Sequence, residues 1–338
     1  MADDNRHTTT ASRQDSKSPQ KAQLQLNDIK AEAQRLGFFA CGAARAEAVD
    51  AKTAATVRSW LDKGSQADMA YMANYTEKRL DPRLLVPGVK TILSLAMNYA
   101  PARPMPDGEY QLAAYAYGQD YHELMKDRLR ELAGSLIPHP LETGEPATEG
   151  EIRIFVDTAP VLERYWAWKA GIGWIGKNHQ LIIPRAGSMF FLGEIFLRFE
   201  LDAYDKPMAN HCGGCHRCID ACPTHALTEE VGFDAARCLS YQLIENRGEL
   251  SDEARSNMGD TIYGCDRCQQ ACPWNRFAMP NTEPALQPKP ELLRMTKDDW
   301  HALTVEQYRA LFKGSAVKRA KYEGLKRNID ATKPREKH

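Results

Sequence analysis

The chain has 338 residues, of which 43% are hydrophobic and 26% charged, and its formal net charge is −1. This composition suits a folded protein with more than one core and excludes a polycation, so any nucleic-acid site must be a local patch. No apolar run reaches the roughly 18 residues of a membrane span, and the polar opening stretch lacks the apolar segment of a secretory signal.

Residues 1–22 read as a disordered leader, too polar to bury anything. "LQLNDIKAEAQRL" (Leu24–Leu36) has helical apolar spacing, with Gly37 as its stop. "FFACGAA" predicts a short strand and Thr53–Gly64 a second helix. Val89–Tyr99, nearly all apolar, predicts a strand covered on both faces. Asp120 is a plausible N-cap for an amphipathic helix through Ile137. A turn-rich loop follows over 138–150, then the strand "IRIFVD" (Ile152–Asp157) and a helix starting near Pro160. "HQLIIP" and "SMFFLGEIFL" predict two more strands. The alternation predicts an α/β or α+β domain with a buried, mixed sheet over 23–200. A cysteine-rich domain is expected over 201–285, and two or three helical pieces with a basic tail over 286–338.

Eight of the nine cysteines lie between Cys212 and Cys272. Without a secretory signal the cytoplasm is expected, where disulfides are rare, so metal ligation is the better reading. "CGGCHRCIDACP" is the C-x2-C-x2-C-x3-C-P run of bacterial ferredoxins. "YGCDRCQQACP" is the same run with Ile262 in the first place, and Cys238 restores the count to eight. The fourth cysteine of such a run serves the other cluster. One 4Fe-4S cluster is therefore expected on Cys212, Cys215, Cys218 and Cys272, and a second on Cys222, Cys238, Cys265 and Cys268. Structural zinc is the competing reading of C-x2-C pairs. Cys41, alone, reads as a buried inert thiol.

"GIGWIGKN" (Gly171–Asn178) spells G-x-G-x-x-G but follows a helix rather than a strand, so a tight structural turn is as good a reading as a ligand loop. Beyond this point a longer pattern takes over. "VDTAPVLERYWAWKAGIGWIGKN", "GSMFFLGEI", the two cysteine runs and the spaced Cys238 occur in one order. Together with "NYTEKRLDPRLLVPGVKTILSLAMNY" and "YAYGQDYHELMKDRL", they resemble the epoxyqueuosine reductases, cobalamin-dependent iron–sulfur enzymes of tRNA queuosine modification. The resemblance covers about Leu24 to Asn328.

It implies a cobalamin-binding domain like that of reductive dehalogenases, a ferredoxin-like domain with two 4Fe-4S clusters, and reduction of the epoxide of tRNA-borne epoxyqueuosine to queuosine. It implies cobalamin without a histidine on its lower face. Asp157, in the D-T-x-P motif, matches the family's catalytic aspartate. Read alone it would be the N-cap of the helix at Pro160. As a proton donor near neutral pH it needs a raised pKa. Arg79, Asp120, Tyr121 and His122 are placed near the cofactor, with Arg164 on cofactor or substrate phosphate, and Lys177, Asn178 and Gly193 in segments giving backbone contacts to corrin amides. Arg164 and His122 also read as a solvated helix face and a capping histidine.

Lys318, Arg319, Lys321, Lys326 and Arg327 form a basic run that is either a solvated face or a tRNA contact. Longer relatives carry helical repeats that this chain ends too soon to copy, so more of the tRNA grip is expected from the tail. An unidentified low-potential donor, a flavodoxin or ferredoxin, and a monomeric state without membrane contact complete the expectations. The competing readings are another cobalamin reductase, a non-catalytic electron carrier, and a zinc module for nucleic acid.

Overall fold

The computed structural model of the chain describes residues 24–136, 149–230 and 232–332. The expected leader over 1–22 and most of the loop over 138–150 lie outside the described residues.

Helix α1 (Leu26–Arg35) buries Leu26, Ile29 and Ala33, and Gly37, at φ 88°, ends it in the left-handed region that favours glycine. Strand β1 (Ala40–Arg45) leads to α2 (Ala51–Asp62), whose first turn is capped by the Asp50 carboxylate on the N–H of Thr53. Two short helices, α3 (Thr76–Leu80) and α4 (Pro82–Leu85), precede strand β2 (Thr91–Asn98). From Thr91 to Met97 every residue of β2 is buried, because helices cover both faces. After the two-residue β3 (Gln111–Leu112) come α5 (Tyr121–Leu136) and β4 (Ile152–Phe155).

Helix α6 spans Glu163–Lys169, so it starts three residues later than the expected start at Pro160. The chain between is irregular because Asp157 adopts φ 57°, which turns the backbone away from a helical path. The hairpin β5 (Trp174–Ile175) and β6 (Leu181–Ile182) then leads to β7 (Phe190–Leu197).

The main sheet has the order β1-β2-β7-β4, and all three of its ladders are antiparallel. Helices α1 and α5 cover one face and α6 the other, giving a three-layer α/β arrangement. The parallel pairing occurs elsewhere, between β3 and β10 (Thr261–Tyr263). That pairing ties the cysteine-rich segment to the sheet domain.

In the cysteine-rich segment, α7 (Arg217–Asp220) and α10 (Arg267–Gln270) are single turns that each carry one cysteine. The hairpin β8 (Leu227–Thr228) and β9 (Gly232–Phe233), α8 (Leu239–Ile244) and α9 (Asp252–Asn257) lie between them. The C-terminal part holds four α-helices rather than two or three: α11 (Pro290–Arg294), α12 (Lys297–His301), α13 (Val305–Leu311) and α14 (Lys321–Ala331). Capping boxes at Thr296 and Thr304 restart the chain twice within a stretch that reads as continuous. One apolar core runs through all parts, from Leu129 of α5 to Tyr263 of β10 and Trp300 and Ile329 near the C-terminus.

Candidate active site

Asp120 precedes α5, and its carboxylate accepts both the backbone N–H of His122 (3.1 Å) and the imidazole Nδ1–H (2.6 Å). The helix N-terminus is thus partly filled by its own acid. The other imidazole nitrogen, Nε2, lies 3.1 Å from Asp157 Oδ2 across the sheet end. Hydrogen bonds to Asp120 and then Asp157 raise the His122 pKa to about 9, against a small opposing effect of burial. The imidazole is protonated at neutral pH and bridges two carboxylates. Tyr121 stacks on Phe191 and on the His122 ring and is a further hydrogen-bond partner of Asp157.

Asp157 departs from the expectation of a raised pKa. Its carboxyl is lowered, first by the hydrogen bond from His122, with Arg164 adding to the effect, and this outweighs desolvation. Its side chain is 57% exposed. Asp157 is therefore an ionised, accessible acceptor whose proton is held next door on His122. It is not the N-cap of α6 either. Its own N–H donates to Glu163 Oε1 at 2.5 Å, the reverse of a cap. Glu163 was not singled out from sequence, although its position six residues after Asp157 in "DTAPVLER" is a local signal. Burial and the nearby Asp157 charge push it up to about 7.

Arg164 is exposed and does not share a helix with Asp157. Its charge nevertheless reaches Asp157, Glu163, His179 and the buried Tyr99. Arg79 is buried; its Nη2–H donates to the Tyr71 carbonyl at 3.3 Å and its Nε is left without a partner. Tyr71, half exposed, feels both Asp157 and Arg319. Arg79, Tyr71, Asp157, Arg164 and His179 thus border one region, with an orphaned cationic N–H among them.

Two of the expected cofactor contacts are otherwise engaged. Gly193 is buried in the middle of β7, where a Cβ would meet Leu129 and Met125 of α5 at 2.9 and 3.0 Å. Its lack of a side chain serves helix-on-sheet packing. In "GIGWIGKN" a Cβ on Gly173 would lie 2.3 Å from the Ile182 carbonyl, so the motif is a close-packed hairpin. Lys177 pairs with Glu229 at 2.8 Å and senses the Cys212 and Cys215 thiols. Asn178 is buried, with its amide N–H 3.4 Å from the Cys268 carbonyl. Both residues thus lie beside the cysteine block.

The eight cysteines separate in space into two groups. Cys218 interacts with Cys272 and Cys212, and Cys272 with Cys212 and Cys215. Cys268 interacts with Cys265, Cys238 and Cys222. The division is the one the two runs predict. Burial raises the thiols of Cys218, Cys238, Cys268 and Cys272, and that of Cys265 to about 11, so thiolates form there only with cations to neutralise them. Backbone N–H groups face the sulfurs, as from Ala226 to Cys222 at 3.2 Å. Among the described residues no three acidic, histidine or cysteine side chains are grouped tightly enough for a single ion. Open sets of four buried or half-buried sulfurs with N–H donors suit cubane clusters. Cys41, expected to be buried, is half-buried at the edge of the core, and burial pushes its thiol up to about 12.

The basic tail divides. Lys318 and Lys321 are exposed, and Arg319 pairs with Glu245 at 2.7 Å. Lys326 donates to the His301 carbonyl at 2.6 Å and lies 3.5 Å from Asp330. Arg327 spans the carbonyls of Gln242, Asn246 and Gly248. These last two are internal struts, because the helix face that carries them packs on α8 and α12, so they are withdrawn as tRNA contacts.

Residues 79–158 match the family model described as epoxyqueuosine reductase QueG, DUF1730, and residues 211–275 that of a 4Fe-4S double cluster binding domain. Epoxyqueuosine reductase of Cellulophaga algicola is 44% identical over 90% of this chain and 97% of its own. That of Pseudomonas aeruginosa is 37% identical over 93% and 86%. Among solved structures, the Streptococcus thermophilus enzyme matches with TM-score 0.78 at 29% identity, over 90% of this chain and 80% of that one. An epoxyqueuosine reductase holding an epoxyqueuosine-modified tRNA-Tyr stem loop matches with TM-score 0.77 at 27% identity over the same shares. A Bacillus subtilis enzyme is described with an aspartate-bearing catalytic loop swung out of its active site. With the double-cluster segment in place and identity running through nearly the whole length of its relatives, this chain belongs to the epoxyqueuosine reductases, a family of oxidoreductases.

Proposed function

We propose that this chain reduces the epoxide of epoxyqueuosine at the wobble position of tRNA, giving queuosine, with electrons from two 4Fe-4S clusters and with cobalamin. The observation that carries the reading is the Asp120–His122–Asp157 chain of hydrogen bonds, which presents a proton at an accessible carboxylate on the side of the domain that faces Cys268. The aspartate loop described for the Bacillus subtilis relative supports Asp157 as the group that meets substrate. Asp157 itself takes φ 57°, a left-handed conformation of the kind that concentrates at active sites.

The residues bordering the site fit a large polar cofactor. The Arg79 Nε–H lacks a partner, the Asp157 carboxylate is exposed, and Arg164 is exposed in the first turn of α6. Arg79, Tyr121 and the Asn178 loop would hold cobalamin, which supplies two-electron reducing power at cobalt. The chain's own part is acid–base. His122 stores the proton, Asp120 fixes the imidazole tautomer, and Asp157 passes the proton to the epoxide oxygen as its C–O bond opens.

Cys212, Cys215, Cys218 and Cys272 would hold one 4Fe-4S cluster, which would supply one-electron transfer on the side where an outside donor docks. Cys272 lines a cavity of about 420 Å³ with Arg217 and Arg276, both exposed. Such a rim suits an acidic carrier of the flavodoxin or ferredoxin kind. Cys222, Cys238, Cys265 and Cys268 would hold the second cluster, which would supply electrons on the side where the Cys268 and Arg164 charges both reach Tyr99.

The test is Asp157→Asn in protein reconstituted with clusters and cobalamin. Both sets of absorption bands should be unchanged, and turnover of epoxyqueuosine tRNA should fall by about 10²–10⁴-fold. Turnover near that of the unaltered protein would overturn the role.

A further inference from the structure

Glu194 is an anomaly at the centre of the sheet. It is 0% exposed, and neither carboxyl oxygen has a hydrogen-bond partner. In the ladders it stands opposite Ser94 on one side and Phe155 on the other, and the Ser94 hydroxyl is likewise buried and unpartnered. Strand alternation places Glu194 on the face shared by Leu192 and Phe196, which pack against α6. Glu163 opens α6, holds the Asp157 N–H, and is coupled electrostatically to Glu194. An apolar site in this position would be filled by a Leu or Val. A lone buried carboxylate would cost far more than any packing gain, so the group stays neutral and carries a proton.

We propose that Glu194 and Glu163 form a buried proton store behind Asp157 that supplies the second proton of the reaction. This rests on the reading of Asp157 as the group facing the epoxide. The balance requires two protons. Both C–O bonds of the epoxide break, a C=C bond forms, two electrons arrive from the clusters, and oxygen leaves as water after taking two protons. His122 holds only one. When Asp157 has passed that proton on, Glu163 is the next acid beside it, with the buried Glu194 behind it as the deeper member of the store.

The groups facing the pair are known from each packed element: Ser94 from β2, Asp157 at the end of β4, His122 from α5 and Arg164 from α6. Burial and the Asp157 charge keep protons on the two glutamates, while Arg164 and His122 oppose this at Glu163 alone. The store is therefore graded, with the proton held more tightly at the deeper residue.

Two measurements test this in cluster-loaded protein. Infrared spectra in H2O and D2O should show a protonated carboxyl band that is lost in Glu194→Gln, whether or not cobalamin is present. Absence of any such loss overturns the proposal. In single turnover, Glu194→Gln and Glu163→Gln should each slow product formation by about 10-fold or more. They should also alter the alkaline limb of the pH profile and leave KM for tRNA unchanged. Unaltered rates and profiles in both variants would overturn it, and a purely structural role would change thermal stability without moving the limb. If the unaltered protein forms no queuosine at all, the reading of the reaction fails while the infrared result still stands or falls on its own.

Discussion

His122 shows how one side chain can set the protonation of a site. Its folded pKa of about 9 lies above the usual 6.5, so the ion pair with Asp157 and Asp120 is complete below the lower value and is lost as pH rises through the higher one. Asp157 runs the other way. Its lowered pKa means that the pair forms above the usual 3.8 and is lost as pH falls through the folded value. Turnover should therefore fall above about pH 9. In His122→Gln the high-pH limb near 9 should vanish and the rate should drop at every pH, read from kcat/KM profiles. A limb that persists would mean that another group holds the proton. Arg327 makes the opposite point. From sequence it is one more cation in a basic run, yet it binds three backbone carbonyls. Arg327→Ala should lower stability by about 2–4 kcal/mol, measured by denaturant unfolding, because those carbonyls lose a charged donor. tRNA affinity at fixed salt should change little.

At the scale of elements, strands and helices with strong periodicity were legible. The nearly all-apolar β2, the amphipathic α5 and the Gly37 stop all stand where their patterns put them. The start of α6 was not legible. Pro160 is a good first helical residue, but the left-handed turn at Asp157 delays the helix to Glu163, and that turn is held by a contact six residues ahead. Strand direction was equally hidden, because alternation of elements does not say which edge a strand joins. The glycine motif in the β5–β6 hairpin is explained at this scale. Gly173→Ala would press a methyl onto the Ile182 carbonyl and should cost about 1–3 kcal/mol through overpacking. A thermal melt should show the loss with cluster absorption per folded molecule unchanged. A normal melting temperature combined with lost cofactor would restore the ligand-loop reading.

Over the whole molecule, charge placement decides how a nearly neutral chain meets a polyanion. Lys318 and Lys321 of the basic run are exposed, beside the Arg319–Glu245 pair and Tyr71. Changing both lysines to Gln should flatten the salt dependence of tRNA binding by about 1.4 in log–log slope, at roughly 0.7 per contact for single strands. An unchanged slope would place the phosphate contacts elsewhere. The sequence by itself determined what depends on spacing along the chain. Eight cysteines in two interlocked runs define their own partners, because C-x2-C and C-x3-C loops leave few ways to wrap a cluster. Tertiary structure alone decided where charges meet. His122 and Asp157 are 35 residues apart, and Glu194 stands opposite Ser94 one hundred positions earlier. Protonation depends on through-space distance and burial, which no local pattern encodes, so only the fold joins Asp157 to His122 and Asp120.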